Sequence, residues 1–269
     1  MDKPTSTNKN PNYQMLLPYL SNMEFDEAYA LVSHYIQSNG SVEANDYRKL
    51  LLEQGVNVDN LPSADEFNKA FDVPFPASKS EFTFIDLFAG IGGFRLAMQD
   101  NGGRCVFSSE WDDAAKQTYF ENYGEVPFGD ITKPETKALI PEKFDVLCAG
   151  FPCQPFSYSG QKLGFKDTTK GTLFFDVCEI LKARQPQAFF LENVKGIVSH
   201  DKGKTIETIR SILKDELGYD MHECILSSLD FGLPQKRERW YCIGFKKNTD
   251  FVFPEGTNCL LYTSPSPRD

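Results

Sequence analysis

The sequence lacks the patterns that mark membrane, secreted and metal-binding proteins. Its apolar runs fall short of the roughly 20 residues that a membrane span needs, and the polar opening MDKPTSTNKNPNYQ has no signal-peptide core. Its seven cysteines form no C-x-x-C pair and have no histidine at zinc-ligand spacing. We therefore expect a protein of the cytosol with reduced thiols, without disulfides, a membrane anchor or a metal.

Positive charge is also scarce, because the chain carries a net charge of −10. This balance argues mildly against a protein that wraps a polyanion with its whole surface. It leaves room for a local basic groove. Four cysteines lie inside apolar periodic segments and are expected to be small buried side chains: Cys105, Cys148, Cys178 and Cys242.

The first third of the chain predicts a small helical region behind a tail. Residues 1–12 are polar and predict a disordered tail, and residues 13–78 predict a helical extension. EFDEAYALVSHYIQSNG carries one apolar helical stripe of Phe25, Ala28, Leu31, Val32, Tyr35 and Ile36. Ser63 and Glu66 form a capping-box pattern. His34 lies near the stripe and has no ligand partner at useful spacing, so a structural role is expected.

Residues 79–250 predict a single α/β domain. Apolar strand patterns such as FTFIDLF, FDVLCAG and QAFFLENV alternate with helical patterns, which is typical of a parallel sheet covered on both faces. The last two strand patterns, HECILSSLDFG and RERWYCIGFKK, have no helix between them. The expected fold is therefore a doubly wound, mostly parallel sheet that closes with an antiparallel pair.

A glycine-rich turn and an acidic residue indicate a nucleoside ligand. DLFAGIGGF, residues 86–94, combines a strand end, a tight turn and a helix start, where backbone N–H groups face a ligand. Glu110 follows the next strand about 20 residues later, where an acid can bind ribose hydroxyls. The spacing is G-x-G-G rather than G-x-G-x-x-G, which disfavours a nicotinamide dehydrogenase. Taken by itself, Asp130 is expected to be a turn residue.

Three further motifs fall near predicted strand ends. GFPCQPFS, residues 150–157, places Cys153 between prolines after a strand, which suits a nucleophile better than an idle thiol. Glu192 in LENV is equally consistent with an acid that binds substrate and with a helix cap. Arg237 and Arg239 are expected to share one strand face, either to bind an anion or a base carbonyl or as charges on a solvated edge.

Taken in order, FIDLFAGIGGFRLA, GFPCQPFS, GTLFFD, LENVKG and DFGLPQKRERWY resemble the DNA cytosine-5 methyltransferases of restriction–modification type. The resemblance runs from about Phe82 to Phe245. It implies a class I S-adenosylmethionine-dependent methyltransferase fold, double-stranded DNA as partner, and a bacterial cytosol or nucleoid as location. The cofactor-binding residues that it implies are Phe88, Gly90, Gly92, Gly93, Glu110, Trp111, Asp130, Ile131, Gly150 and Leu173.

The resemblance also implies the chemistry. Cys153 would add to C6 of a cytosine flipped out of the duplex, and Glu192 would bond N3 and the amino group. Arg239 would contact the base O2. The residues expected to help hold the catalytic loop and the DNA are Arg237, Ser157 and Ser159.

Residues 251–269 depart from the family pattern. The family continues with a target-recognition domain, whereas NCLLYTSPSPRD resembles neither that domain nor the closing cofactor motif. We expect a truncated or non-native tail and weak duplex binding without sequence preference. Two alternatives stay open: the transfer-RNA branch of the family, and a non-catalytic cofactor-binding fragment that needs a second chain for recognition.

Overall fold

The computed structural model describes residues 16, 27–38, 41, 44–77, 81–152 and 173–256. The chain divides into two compact units, Met1–Phe144 and Asp145–Asp269. Phe25 of the predicted apolar stripe lies outside the described residues. Within the described part of the chain, no helix has the length and apolar character to cross a membrane. The domain boundaries given above stay predictions.

The first unit begins with three helices, α1 (Ala28–Gln37), α2 (Ala44–Glu53) and α3 (Ala64–Ala70), with a 3-10 turn at Val58–Asn60. The apolar stripe of α1 is buried at Ala28, Leu31, Val32 and Ile36, as predicted. Helix α3 starts with the predicted capping box, in which Ser63 and Glu66 satisfy each other's backbone N–H groups.

The same unit continues with β1 (Phe82–Leu87), α4 (Gly93–Asp100), β2 (Gly103–Ser109), α5 (Asp113–Tyr123) and α6 (Pro134–Ala138). Strands β1 and β2 are parallel, and Leu87 at the end of β1 pairs with Ser109 at the end of β2. A parallel bridge joins Ser109 to Phe128. This register brings the glycine turn after β1 and Glu110 after β2 to the same edge.

The second unit contains β3 (Val146–Ala149), α7 (Leu173–Arg184), β4 (Ala188–Val194), α8 (Lys204–Arg210), β5 (Asp220–Ser227) and β6 (Glu238–Phe245). Helix α8 runs into a π-helical turn, Ser211–Glu216, and 3-10 turns cover Lys195–Val198, His200–Gly203 and Ser228–Phe231. Strands β3 and β4 are parallel, whereas β6 lies antiparallel between β4 and β5.

The alternation of strands and helices, the parallel pairs and the antiparallel β5–β6 pair confirm the predicted α/β fold class. One detail of the prediction is wrong. Strand β6 begins at Glu238, so Arg237 precedes the strand and does not share a strand face with Arg239. Arg237 lies in the connection before β6, and its backbone N–H donates to Ser228 Oγ at 3.2 Å.

A buried ion cluster ties the first unit together. The Arg95 guanidinium of α4 donates to Glu125 Oε1 at 2.8 Å, and both side chains are 1% exposed. His34 Nε2 of α1 lies 3.2 Å from the same carboxylate oxygen, and Ser108 Oγ donates to it at 3.1 Å. Breaking a buried pair on one side costs about 3–5 kcal/mol, because it leaves an uncompensated charge. We call Arg95, Glu125, His34 and Ser108 the Glu125 cluster.

The hydrogen bonds of His34 show that its imidazole is neutral. Nδ1 lies 2.9 Å from the Ala30 carbonyl and must donate, while Nε2 accepts from the Ser108 backbone N–H at 3.1 Å. Burial lowers the pKa of His34, and the charge of Glu125 only partly offsets this effect. Burial works to raise the pKa of Glu125, but the charge of Arg95 and the hydrogen bonds from Arg95 and Ser108 outweigh it and lower the pKa.

We predict that His34 makes the protein less stable in mild acid. Its folded pKa lies below the unfolded value, so the unfolded chain takes up a proton first as pH falls, and stability present near neutral pH is lost. His34→Gln should lower the free energy of unfolding by about 1–3 kcal/mol near pH 8, through the loss of ring packing on Phe128. Chemical denaturation at about pH 8 and about pH 5.5 should show a smaller pH-dependent loss in the variant than in the wild type. Equal losses in both proteins would contradict this assignment.

Candidate functional site

The turn between β1 and α4 has a backbone that few side chains tolerate. Phe88, Gly90 and Gly92 have φ values of +56°, +55° and +93°, so a non-glycine residue is held in the left-handed region at Phe88. A Cβ at Gly92 would lie 2.2 Å from the Tyr123 ring. The Tyr123 hydroxyl donates to the Gly92 carbonyl at 2.7 Å. The Tyr123 side chain of α5 therefore holds the backbone of the turn in place.

Glu110 connects this turn to the loop that follows β2. Its Oε2 accepts from the Gly90 backbone N–H at 2.8 Å, and its Oε1 accepts from the N–H groups of Trp111 and Asp112 at 2.9 Å each. Oε1 already accepts two hydrogen bonds, whereas Oε2 accepts one and keeps a second lone pair, so Glu110 can hold the turn and still accept a hydrogen bond from a hydroxyl group of a ligand.

The space above the turn suits a nucleoside. A Cβ added at Gly90 or at Gly93 would meet no atom within 4 Å, so a ligand can approach the backbone there. Ile91, which follows Gly90, and Trp111, which follows Glu110, have side chains that are 61% and 80% exposed. The residues present therefore fit the adenosine part of S-adenosylmethionine, with Phe88 and Trp111 as apolar surfaces and Glu110 as acceptor.

Asp130 and Ile131 follow the Phe128 bridge at the same edge. The Glu110 backbone N–H donates to the Phe128 carbonyl at 2.9 Å, which joins their segment to the end of β2. Asp130 Oδ1 accepts from the Thr132 N–H at 2.9 Å, and its second oxygen can meet a donor such as an amino group. The Ile131 side chain is 3% exposed.

In the second unit, the structure brings two predicted catalytic residues together. Arg239 Nε donates to Glu192 Oε1 at 2.9 Å, and their side chains are 20% and 22% exposed. Glu192 lies in β4 and Arg239 in β6, where the antiparallel register pairs Val194 with Arg239. Glu192 belongs to a strand and not to a helix start, so the helix-cap interpretation is wrong. A carboxyl and a guanidinium side by side can bind a planar ring that has both donors and acceptors.

Asn193 is a site residue that the sequence reasoning missed. It is 1% exposed, its Nδ2 donates to the Phe151 carbonyl at 2.8 Å, and its Oδ1 accepts from the Val194 N–H at 2.8 Å. It thereby ties β4 to the chain two residues before Cys153. The signal available was an amide next to an acid inside an apolar strand pattern.

The remaining predicted residues of this unit lie at element ends or outside the description. Gly150 directly follows β3, and Leu173 is the first residue of α7. Cys153, Ser157 and Ser159 lie outside the described residues.

The four cysteines predicted to be structural are all buried: Cys105, Cys148, Cys178 and Cys242. Burial raises the pKa of Cys105 to about 12, so its thiol is a poor nucleophile.

Asp86, two residues before Phe88, is a second residue that the sequence reasoning missed. Its side chain is buried, and neither carboxyl oxygen makes a hydrogen bond of standard geometry with a described residue. Burial raises the pKa of Asp86 well above its ordinary value, and the charge of Arg95 offsets this only in part. Among the described residues, no group of three or more His, Cys, Asp or Glu is arranged to hold a metal ion.

Comparison with known proteins gives one consistent family. The family described as C-5 cytosine-specific DNA methylase matches residues 82–265. Type II methyltransferase M.HpaII of Haemophilus parainfluenzae is 60% identical over 191 residues, which cover 71% of this chain and 51% of that protein. Type II methyltransferase M.MspI of Moraxella sp is 50% identical over 180 residues, which cover 66% of this chain and 42% of that protein. The chain thus spans about half the length of the curated relatives it matches.

Solved structures show the same fold. The S. pombe Dnmt2 methyltransferase superposes with a TM-score of 0.51 at 24% identity, covering 64% of this chain and 53% of that chain. The Entamoeba histolytica methyltransferase EhMeth gives a TM-score of 0.50 at 19% identity, covering 66% and 57%. At these identities the likeness shows the fold alone.

The family match covers more than half of the chain, including the glycine turn, the segment around Cys153, and the Glu192–Arg239 pair. It confirms the resemblance that the five sequence motifs indicated. The chain belongs to the C-5 cytosine-specific DNA methylase family.

Proposed function

We propose that this chain transfers a methyl group from S-adenosylmethionine to C5 of a cytosine in double-stranded DNA, as part of a restriction–modification system. The observation that carries the proposal is the Glu192–Arg239 pair at 2.9 Å. This pair lies beside Asn193, which holds the chain that leads into Cys153. The type II methyltransferases among its relatives support the same reaction class.

The cofactor would bind at the glycine turn of the first unit. Glu110 would accept from the ribose hydroxyls, Asp130 and the Ile131 backbone would contact the adenine edge, and Phe88 and Trp111 would pack on its faces. Gly90, Gly92 and Gly93 would let the ligand lie close to the backbone. Gly150 and Leu173, in the second unit, stay predicted cofactor-binding residues. When bound, S-adenosylmethionine supplies a methyl group on a positively charged sulfur.

The protein's own residues would make cytosine C5 reactive. The Cys153 thiolate adds to C6, forming an S–C6 bond and moving electron density to C5 and N3, while Glu192 shares a proton with N3 as negative charge develops. C5 then takes the methyl group and loses its proton to a base. The electrons of the broken C5–H bond form the C5=C6 double bond, the S–C6 electrons return to sulfur, and the N3 proton returns to Glu192, which restores the ring, the thiolate and the acid. Arg239 would hold the base O2 and orient Glu192.

The ring must leave the base stack for Cys153 to reach C6. Flipping a base costs a few kcal/mol, and contacts of the protein with the base edge and the backbone offset this cost. Arg237, Ser157 and Ser159 would supply part of those contacts. We assign these steps to residues 79–250 as the catalytic domain, with residues 13–78 as an N-terminal extension. The protein would work in the bacterial cytosol or nucleoid.

We predict that Glu110→Gln weakens cofactor binding. The substitution removes the charge that accepts three backbone N–H bonds and turns an amide N–H₂ toward them. Calorimetry with S-adenosylhomocysteine should show an affinity loss of about 10- to 100-fold, the size of a hydrogen bond to a charged group. Glu142→Gln, a change at an exposed carboxylate, serves as control and should bind as the wild type does. Unchanged affinity in Glu110→Gln, or tighter binding of NAD by the wild type, would contradict the assignment.

We predict that Cys153 forms the covalent bond to the base. Fluorine at C5 cannot leave as a proton does, so a 5-fluorocytosine duplex should trap the S–C6 adduct after methyl transfer. A pool of random-sequence duplexes avoids the need to know the recognised site. Incubation with S-adenosylmethionine, followed by denaturing electrophoresis, should show a protein–DNA band. The band should disappear in Cys153→Ser and persist in Cys224→Ser, which alters a partly exposed thiol. Trapping by Cys153→Ser would exclude this thiol.

A further inference from the structure

Helix α1 makes an unusual set of side-chain bonds to an irregular backbone segment, residues 124–131. The Glu27 carboxylate accepts from the Gly129 N–H through both oxygens, at 2.9 and 3.0 Å. Ser33 Oγ accepts from the Val126 N–H at 2.9 Å. Gln37 Nε2 donates to the Gly124 carbonyl at 3.4 Å. The 124–131 segment ends at Asp130 and Ile131, which are assigned to the adenine edge above.

The 124–131 segment has little regular structure of its own. One parallel bridge, Ser109 with Phe128, joins it to β2, together with a bond from Ser109 Oγ to the Gly129 carbonyl at 2.7 Å. Backbone N–H groups that are shielded from water need partners. For Val126 and Gly129, the side chains of α1 supply these partners, as a neighbouring strand would in a regular sheet.

Helix α1 also reaches the end of β2. His34 Nε2 accepts from the Ser108 N–H at 3.1 Å, two residues before Glu110. The helix therefore contacts both chain segments that carry the proposed adenosine-binding residues. The contact nearest to the ligand residues is that of Glu27, because Gly129 directly precedes Asp130.

We propose that α1 is a positioning element for cofactor recognition, with Glu27 as the positioning residue that holds Asp130 and Ile131 at the adenine edge. This inference rests on the proposed function. It gives the N-terminal helical extension a role in the reaction. A merely structural α1 would alter stability without altering which base is preferred.

The experiment measures base discrimination and stability together. Calorimetry compares S-adenosylhomocysteine with S-inosylhomocysteine, in which an oxygen replaces the adenine amino group that Asp130 would accept from. The wild type should prefer the adenine ligand. Glu27→Ala should lose about three- to tenfold in affinity for S-adenosylhomocysteine, the size of one hydrogen bond, and less for the inosine ligand, so that the preference shrinks.

Two further variants separate positioning from folding. Glu27→Gln keeps one acceptor oxygen for the Gly129 N–H and should recover most of the preference. In Gly129→Ala, the new Cβ would lie 2.6 Å from Glu27 Oε1, so it should displace the carboxylate and reduce the preference from the opposite side. The Glu27 side chain makes no capping bond to α1, so these changes leave the helix start intact. Glu53→Ala, at an exposed position on α2, is the matched control.

The outcomes distinguish this inference from the proposed function. Suppose that the wild type binds S-adenosylhomocysteine. If Glu27→Ala and Gly129→Ala then keep the wild-type preference, or lose affinity for both ligands equally with a lower melting temperature, the positioning role is wrong. The proposed function stands in that case. If the wild type binds neither ligand, both are wrong. A reduced preference with an unchanged melting temperature supports the positioning role.

Discussion

Glu125 carries a buried negative charge that two elements of the first unit satisfy with hydrogen bonds while a third packs against it. Arg95 of α4 donates to it at 2.8 Å, Ser108 of β2 donates at 3.1 Å, and His34 of α1 lies 3.2 Å away. Helix α4 begins at the glycine turn, and Glu110 directly follows β2. Because a buried charge without partners is costly, the Glu125 cluster fixes these elements relative to one another. The geometry of the glycine turn and of Glu110 depends on it.

The second unit places an acid, Glu192, directly beside a cation, Arg239. Strand pairing does most of this, since the β4–β6 register brings Glu192 and Arg239 within 2.9 Å. Lys195 adds an ion pair to Glu238 at 2.8 Å, which holds the start of β6 against the chain after β4. Asn193 then links β4 to the segment that leads to Cys153. Catalytic groups on neighbouring strands are held more firmly than groups on loops.

The sequence predicted the parts of the site that depend on local pattern. The alternation of strands and helices, the antiparallel last pair, the buried cysteines and the ligand turn all follow from periodicity and residue type. The sequence patterns could not predict contacts between segments that lie far apart in the chain. Helix α1 carries Ser33 and His34 and is directly preceded by Glu27, and only the tertiary structure shows that these residues bond the backbone of residues 108–129. Asp86 was missed because one acid in an apolar strand gives no hint of its protonation, and Arg237 was misplaced because strand ends are set by pairing.

The proposed methylation of cytosine at C5 can be tested by the identity of the methylated nucleoside that this chain produces. The 269-residue chain would be incubated with methyl-labelled S-adenosylmethionine and a pool of random-sequence duplexes. The DNA is then digested to nucleosides, and mass spectrometry identifies the nucleoside that carries the label. We expect label in 5-methylcytosine with the wild type and none with Cys153→Ser. Label in N4-methylcytosine or N6-methyladenine, or label in 5-methylcytosine that survives the loss of the Cys153 thiol, would contradict it.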